Sequence, residues 1–305
     1  MSSLEAGDDS KGKDNENLAE VKPKKNNCLM ITLIVISCVV VVGLALGLSL
    51  GLTIGKKSKK PANADRRPIA VIVAMHSELS ELLTKIGKYN TTTVKKFKFY
   101  EGTINDNPVI ICHCGISEIN AGIATLLAIQ RYNPRAIISE GTAGGYGNEV
   151  HRSDIVIGEK AVNLASFKTG RKKQGEGSNS LEWQMVTFIE GKDDALSYQL
   201  GNENLVKLAK KVNYKGGNVH YGVVGSSDNW NSEADRILFF KNNLGALCEE
   251  MECFSVFSVA NDFGVPVIAI KVISNNDMIG EAHDISTAKG AQDFTYDLIL
   301  QILNE

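Results

Sequence analysis

Between residues 68 and 304, short apolar runs of strand length alternate with longer stretches in which apolar residues recur every three or four positions. The runs Ile69 to Met75, Val109 to Cys114, Ala136 to Ser139, Asp154 to Gly158, Val219 to Gly225 and Val265 to Ser274 predict strands, with a further one over Val94 to Phe99. Helices are predicted over Ser117 to Tyr132, Asn204 to Val212, Ser232 to Asn242, Met251 to Phe263 and Thr287 to Leu303, and Leu79, Leu82, Leu83 and Ile86 mark an earlier one. This alternation predicts an α/β domain of about 240 residues (68–305) with a sheet between helix layers.

Ahead of that domain the pattern changes twice. Residues 1–25 are polar, of mixed charge and without aromatic side chains, a composition that predicts disorder. No charged residue occurs from Asn26 to Gly55, and so long an apolar stretch suffices for a transmembrane helix, which takes about 20 residues. It is too long and begins too late for a cleaved signal peptide, and Gly43, Gly47 and Gly51 resemble a helix-association face. One helix in a lipid bilayer, a single-pass anchor over 26–55, is therefore expected, followed by a basic linker over 56–67. Lysines flank the span on both sides, so the positive-inside count nearly cancels. The acceptor triplet Asn90-Thr91-Thr92, expected in a surface loop, tips the expectation towards an extracytoplasmic domain.

Candidate chemistry gathers where the predicted strands end, the edge at which open α/β sheets collect ligand-binding groups. Ile69 to Met75 runs into His76-Ser77-Glu78, and Ala136 to Ser139 runs into Glu140-Gly141-Thr142-Ala143-Gly144-Gly145, where glycines let the backbone approach a ligand closely. Cys248 to Cys253 sets Glu252 at the start of an expected helix, and the run from Val265 ends in the polar Asn275.

Taken in order, Ala74-Met75-His76-Ser77-Glu78, Gly115-Ile116-Ser117-Glu118-Ile119-Asn120-Ala121, Gly141-Thr142-Ala143-Gly144-Gly145, Glu250-Met251-Glu252 and Ile273-Ser274-Asn275 resemble the motifs of the nucleoside phosphorylase and nucleosidase superfamily. Within it the chain is most similar to the methylthioadenosine/S-adenosylhomocysteine nucleosidases. The resemblance implies a three-layer fold with a central mixed twisted sheet, a nucleoside substrate, a homodimer, and no cofactor. It implies that Glu78 activates a water, that Glu252 holds the ribose hydroxyls, and that Met251 packs on the sugar. Thr142 and Lys271 then fall where the family positions that water, Trp230 where an aromatic ring stacks on the purine, and Ile116 on the substrate-binding wall.

The chemistry explains these types. Cleavage of an N-glycosidic bond passes through an oxocarbenium-like sugar, so carboxylates beside the ring stabilise developing charge and one of them can deprotonate water. The family's proton donor to purine N7 is an Asp, and this chain has Asn275 there. An amide donates a hydrogen bond but not a proton, and general acid catalysis is worth about 10² to 10⁴ in rate. Reduced activity is one expectation; supply of the acid by Asp277 is another. A preference for 6-oxopurines is a third, since some trimeric purine nucleoside phosphorylases carry Asn at this position.

Other classes are weighed by what the chain has and lacks. The segments where phosphorolytic relatives carry an arginine clamp read Met75-His76-Ser77-Glu78 and Gly115-Ile116-Ser117-Glu118, which favours water over phosphate, and Glu118 would repel an anion if it faced the site. A non-catalytic binder similar to plant storage proteins stays open through Leu181-Glu182-Trp183-Gln184. The net charge of -2 disfavours nucleic acid as a partner. Cys112-His113-Cys114 lacks a second ligand pair, so no metal site is expected, and the six cysteines form no disulfide framework. Asp228 is expected to brace its loop, and residues 163–200 to form a solvated insertion, a substrate lid or an oligomer contact.

Overall fold

The computed structural model describes residues 65–189 and 192–305. The expected tail, membrane span and most of the linker lie outside the described residues, among which no helix is long and apolar enough to cross a membrane.

Strands β1 (Ile69–Val73), β4 (Asn107–His113), β5 (Ala136–Gly145), β6 (Ile155–Asn163), β12 (Val219–Ser226), β13 (Ala246–Glu250) and β14 (Val267–Asn275) form the centre of a ten-stranded mixed sheet. β5 lies between β1 and β14, parallel to both, while β14 runs antiparallel to β6 on its other side. These strands are apolar without alternation because both faces are covered. Along β1, Ile69, Val71 and Val73 enter one core, and Ala70 and Ile72 enter the other. The first core is closed by helices α1 (Ser80–Ile86), α3 (Glu203–Ala209) and α6 (Ala288–Leu303). The second is closed by α2 (Glu118–Tyr132) and α5 (Cys253–Asp262). The three-layer α/β architecture expected from the sequence is present. A smaller cluster forms where α4 (Ala234–Leu244) packs on Tyr146, Val162 and Leu164.

Two expectations are corrected. In place of one strand over Val94 to Phe99 there is a hairpin: β2 (Asn90–Val94) pairs antiparallel with β3 (Phe97–Ile104) across a turn in which Lys95 has φ 57°. Phe97 and Phe99 bury while Lys98 faces out, and the threonines of β2 suit an exposed edge strand. Asn90 of the glycosylation triplet is thus exposed on an edge strand and not in a loop. The insertion over 163–200 is also more than a loop. β7 (Phe167–Lys168) pairs with β8 (Gln184–Met185), β9 (Thr187–Ile189) pairs with β10 (Lys192–Ala195), and β11 (Gln199–Leu200) joins the sheet beside β6. Trp183 stacks on Phe167 at 4.3 Å between centroids, and the Arg236 guanidinium lies 5.5 Å from the Trp183 ring, so this tryptophan braces the insertion.

One group in the sheet works against stability. Glu140 on β5 is buried, and neither carboxylate oxygen has a hydrogen-bond partner among the described residues. Burial pushes its pKa well above the ordinary range, reinforced by Glu78 and opposed by Lys271. In the unfolded chain this carboxyl ionises near the ordinary 4.5, whereas the folded state keeps it protonated, so its contribution to stability is lost as pH rises above that value. Glu140→Met is expected to raise stability by about 1–3 kcal/mol at neutral pH. Thermal unfolding midpoints should show little difference at pH 4 and a gap widening towards pH 8, and a lower midpoint for the variant throughout would contradict this account.

Candidate active site

A cavity of about 190 Å³ opens where β1, β5, β13 and β14 end. After β1 the chain bends through a tight turn, His76–Glu78, which Gln292 of α6 clamps. The Gln292 Nε2 donates to Ser77 O at 2.9 Å, while its Oε1 accepts from the backbone of Glu81 and Leu82 at the start of α1. The turn carries Glu78 into the cavity wall, where it is 2% exposed. Its Oε1 accepts from Thr142 N at 2.7 Å and Thr142 Oγ1 at 2.8 Å, and its Oε2 accepts from Met75 N at 3.0 Å. Position 141 favours glycine, because its φ is 157° and a Cβ there would crowd Glu78 Oε1 at 3.0 Å. Burial raises the Glu78 pKa, while the Thr142 backbone, the charge of Lys271 and the remaining hydrogen bonds pull it back.

Glu252 reaches the same cavity from the N-cap position just before α5 and accepts from Ser117 N at 3.0 Å. Ser117 holds an unusual backbone conformation, φ 121°, and Asp228 secures it by accepting from Ser117 Oγ at 3.0 Å and from Glu118 N at 2.9 Å. Asp228 thereby ties its loop to the Ser117–Glu118 segment at the start of α2. Burial, then the charge of Glu250, pushes the Glu252 pKa up to about 8. Glu250 itself accepts from Cys253 N at 2.9 Å and forms a buried ion pair with Lys271 at 2.9 Å.

The expected residues divide into those the cavity gathers and those it does not. Ile116, Thr142, Trp230, Met251 and Asn275 line it together with Glu78 and Glu252. Trp230, 64% exposed, stands at the rim with its ring edge-on to His283 at 5.8 Å. Lys271 is a correction. It lies 1% exposed, outside the cavity lining, because β14 turns it towards Glu250. Burial favours its neutral form, but Glu250 and its neighbours outweigh this and raise its pKa, so it acts on the cavity as a buried positive charge. Asp277 does not line the cavity either; it meets Asn275, whose Nδ2 donates to Asp277 Oδ1 at 3.3 Å. Glu118 turns away to accept from Ser226 Oγ at 2.6 Å and Ser255 N at 2.8 Å, so it adds no charge to the lining. No described part of the 163–200 insertion lines the cavity. The Cys112-His113-Cys114 triplet buries both sulfurs, with Cys114 Sγ donating to Val73 O at 3.2 Å, and no cluster able to hold a metal occurs among the described residues.

Sequence reasoning passed over Glu249, Ser274, Asn229 and His283, all of which line the cavity. Glu249 accepts from Tyr146 OH at 2.6 Å and Asn231 N at 2.8 Å, and burial raises its pKa. Its signal was present, since it stands beside the Glu250-Met251-Glu252 motif at the end of a strand. His283 comes from an irregular segment with no periodicity to read.

A mixed sheet in three layers, with the buried carboxylates of Glu78, Glu249, Glu250 and Glu252 lining a cleft at its strand ends, defines a class of α/β protein in which a small polar ligand binds at the sheet edge. The chain belongs to the phosphorylase superfamily, whose family profile matches residues 68–304. It is 27% identical over 242 residues to a 5'-methylthioadenosine/S-adenosylhomocysteine nucleosidase of Geobacillus sp., covering 77% of this chain and 97% of the relative. It is 27% identical over 214 residues to the nucleosidase of Halalkalibacterium halodurans, covering 68% and 84%. Among solved structures, the Neisseria meningitidis nucleosidase in complex with methylthio-immucillin-A superposes with a TM-score of 0.63 at 19% identity, covering 76% of this chain and 98% of that one. Futalosine hydrolase of Helicobacter pylori gives 0.62 at 19% identity, over 77% and 98%, so the fold is shared across different named activities.

The buried carboxylates set a pH dependence. A carboxylate can take a proton from water, or stabilise a developing positive charge, only in its ionised form. Because the pKa values of Glu78 and Glu252 are raised, Glu252 to about 8, kcat/KM is expected to rise between pH 6 and pH 9. The limb reports macroscopic values of coupled groups. Stability moves the other way, since an acid held protonated by folding loses its contribution as pH rises from the ordinary carboxylate value towards 8. A rate profile flat from pH 5 to 9 would show that these carboxyls do not govern turnover.

Proposed function

We propose that the domain is a purine nucleosidase that hydrolyses the N-glycosidic bond of a nucleoside of the methylthioadenosine or S-adenosylhomocysteine kind. The observation that carries this is the meeting of Glu78 and Glu252, 174 positions apart in the chain (252 − 78), in the lining of one cavity. In this reading Glu78 accepts the proton of the attacking water, and Thr142 fixes the carboxylate that does so. Glu252 takes the ribose hydroxyls, Met251 and Ile116 pack on the sugar, and Trp230 covers the base from the rim. Asn275 lies at the family's acid position and slows departure of the base. That residue also gives the second reading its support: a nucleoside binder with little turnover, in which the pocket is kept and proton transfer is lost.

Full-length protein in detergent, incubated with methylthioadenosine, S-adenosylhomocysteine, adenosine and inosine with and without phosphate, tests both. Base release independent of phosphate is the expected result. Release that requires phosphate would replace the hydrolase with a phosphorylase, and tight binding without release would favour the binder.

In the same reading the chain is anchored in a bilayer by residues 26–55, with the domain extracytoplasmic. Support comes from the uncharged stretch and from the exposure of Asn90. Protease protection in sealed vesicles, with a glycosidase shift at Asn90, tests the orientation. A homodimer fits the exposed isoleucines Ile116, at the cavity, and Ile119 and Ile123 on α2, and sedimentation measures it.

A further inference from the structure

Asn275 and Glu249 form one wall of the cavity. A Cβ placed on Gly144 would stand 3.5 Å from Asn275 Nδ2, 3.6 Å from Asn275 Oδ1 and 3.8 Å from Glu249 Cγ, so a glycine leaves the amide bare. The two ends of an amide have opposite hydrogen-bonding sense, and its partners decide which end points where. Ser274 does not decide it. Its Oγ lies 3.1 Å from Asn275 Oδ1 and 3.2 Å from Ala143 O, and a hydroxyl with one hydrogen fits either orientation of the amide. Asp277 does decide it. Its Oδ1 accepts from Nδ2 at 3.3 Å, and the flipped amide would set one acceptor against another.

With the amide fixed in this way, one N–H of Nδ2 and one lone pair of Oδ1 stay free for a ligand. A 6-aminopurine offers the matching edge, the N7 acceptor beside an N6–H donor, whereas a 6-oxopurine offers two acceptors. Glu249 adds to the preference. Tyr146 OH, Asn231 N and Asn231 Nδ2 all donate to it, so it is held as an acceptor with one lone pair on Oε1 to spare. A 6-amino group is attracted to that wall and a 6-oxo group is repelled.

We infer that Asp277 is a positioning residue for base recognition: it locks the Asn275 amide so that the cavity, with Glu249 as a second acceptor, admits 6-aminopurines and rejects 6-oxopurines. This rests on the reading of the cavity as a purine nucleoside site, and it opposes the 6-oxopurine preference that an Asn at this position suggests by resemblance.

The test is calorimetric titration of the full-length protein in detergent with free adenine and free hypoxanthine, which needs no turnover. Adenine is expected to bind about 10- to 100-fold more tightly. Asp277→Ala, at an exposed position, is expected to shrink that ratio to within about threefold, mainly by strengthening hypoxanthine. Glu249→Gln, which supplies an N–H, should shift the ratio the same way. A ratio unchanged in Asp277→Ala, or a wild type that prefers hypoxanthine, would overturn the inference while leaving the purine site standing. If neither base binds, the purine site falls, and the inference falls with it.

Discussion

Glu78→Gln is expected to cut base release by about 10² to 10⁴ while nucleoside still binds. The wild-type carboxylate has three donors on it: two from Thr142 at Oε1 and one from Met75 N at Oε2. A glutamine can turn its carbonyl oxygen to the Thr142 pair and keep the side chain in place. Its amide nitrogen then faces the Met75 N–H, donor against donor, so a moderate loss of stability accompanies the change. What disappears is basicity, because an amide cannot take a proton from water. Single-turnover base release measures the loss, and quenching of Trp230 at the cavity rim by added nucleoside measures retained binding. Loss of binding in proportion to the rate would mean that Glu78 holds the ligand and does not activate water. A rate within about threefold of wild type would remove Glu78 from the chemistry altogether.

The parts of this site that could be read from the chain are those tied to regular structure. An apolar run that stops at a carboxylate, a glycine cluster after a strand and a Glu at a helix start each have a local pattern, and Glu78, Thr142, Glu252 and Asn275 all meet in the cavity. The layers were legible for the same reason: strands buried on both faces read as unbroken apolar runs. The direction in which a buried polar side chain turns was not legible. Lys271 sits inside an apolar strand, and only the fold, which carries Glu250 at the end of β13 across β5 to meet it, shows that it serves that carboxylate. Glu140 stands at a register position that apolar residues fill elsewhere in β5, and no local rule announces an unpartnered acid there. The β2–β3 turn was missed because Lys95 takes a left-handed conformation that sequence usually marks with Gly or Asn. Asp277 begins a single helical turn, Asp277–Ile279, and His283 lies in the irregular segment after it, whose path is set by single contacts, among them Asp284 N to Ser274 O at 2.9 Å.

Asn275→Asp is the converse experiment, and it is expected to raise adenine release by about 10² to 10⁴. Asn275 is buried, its Nδ2 faces the Asp277 carboxylate, and Glu249 lies along the same wall. A carboxyl introduced there is desolvated and flanked by two like charges, and both effects favour its protonated form. Its hydroxyl can keep the hydrogen bond to Asp277 or turn to purine N7, so the substitution supplies a donor that carries a transferable proton. The gain should be largest in acid and neutral solution and should fade at higher pH as the new group ionises. In that direction it opposes the limb set by Glu78 and Glu252, so the variant's profile should become bell-shaped where the wild type only climbs. A folded variant whose release rate matches wild type at every pH would show that proton delivery to the base does not limit this site. The slow step would then lie with the water and Glu78, on the other side of the sugar.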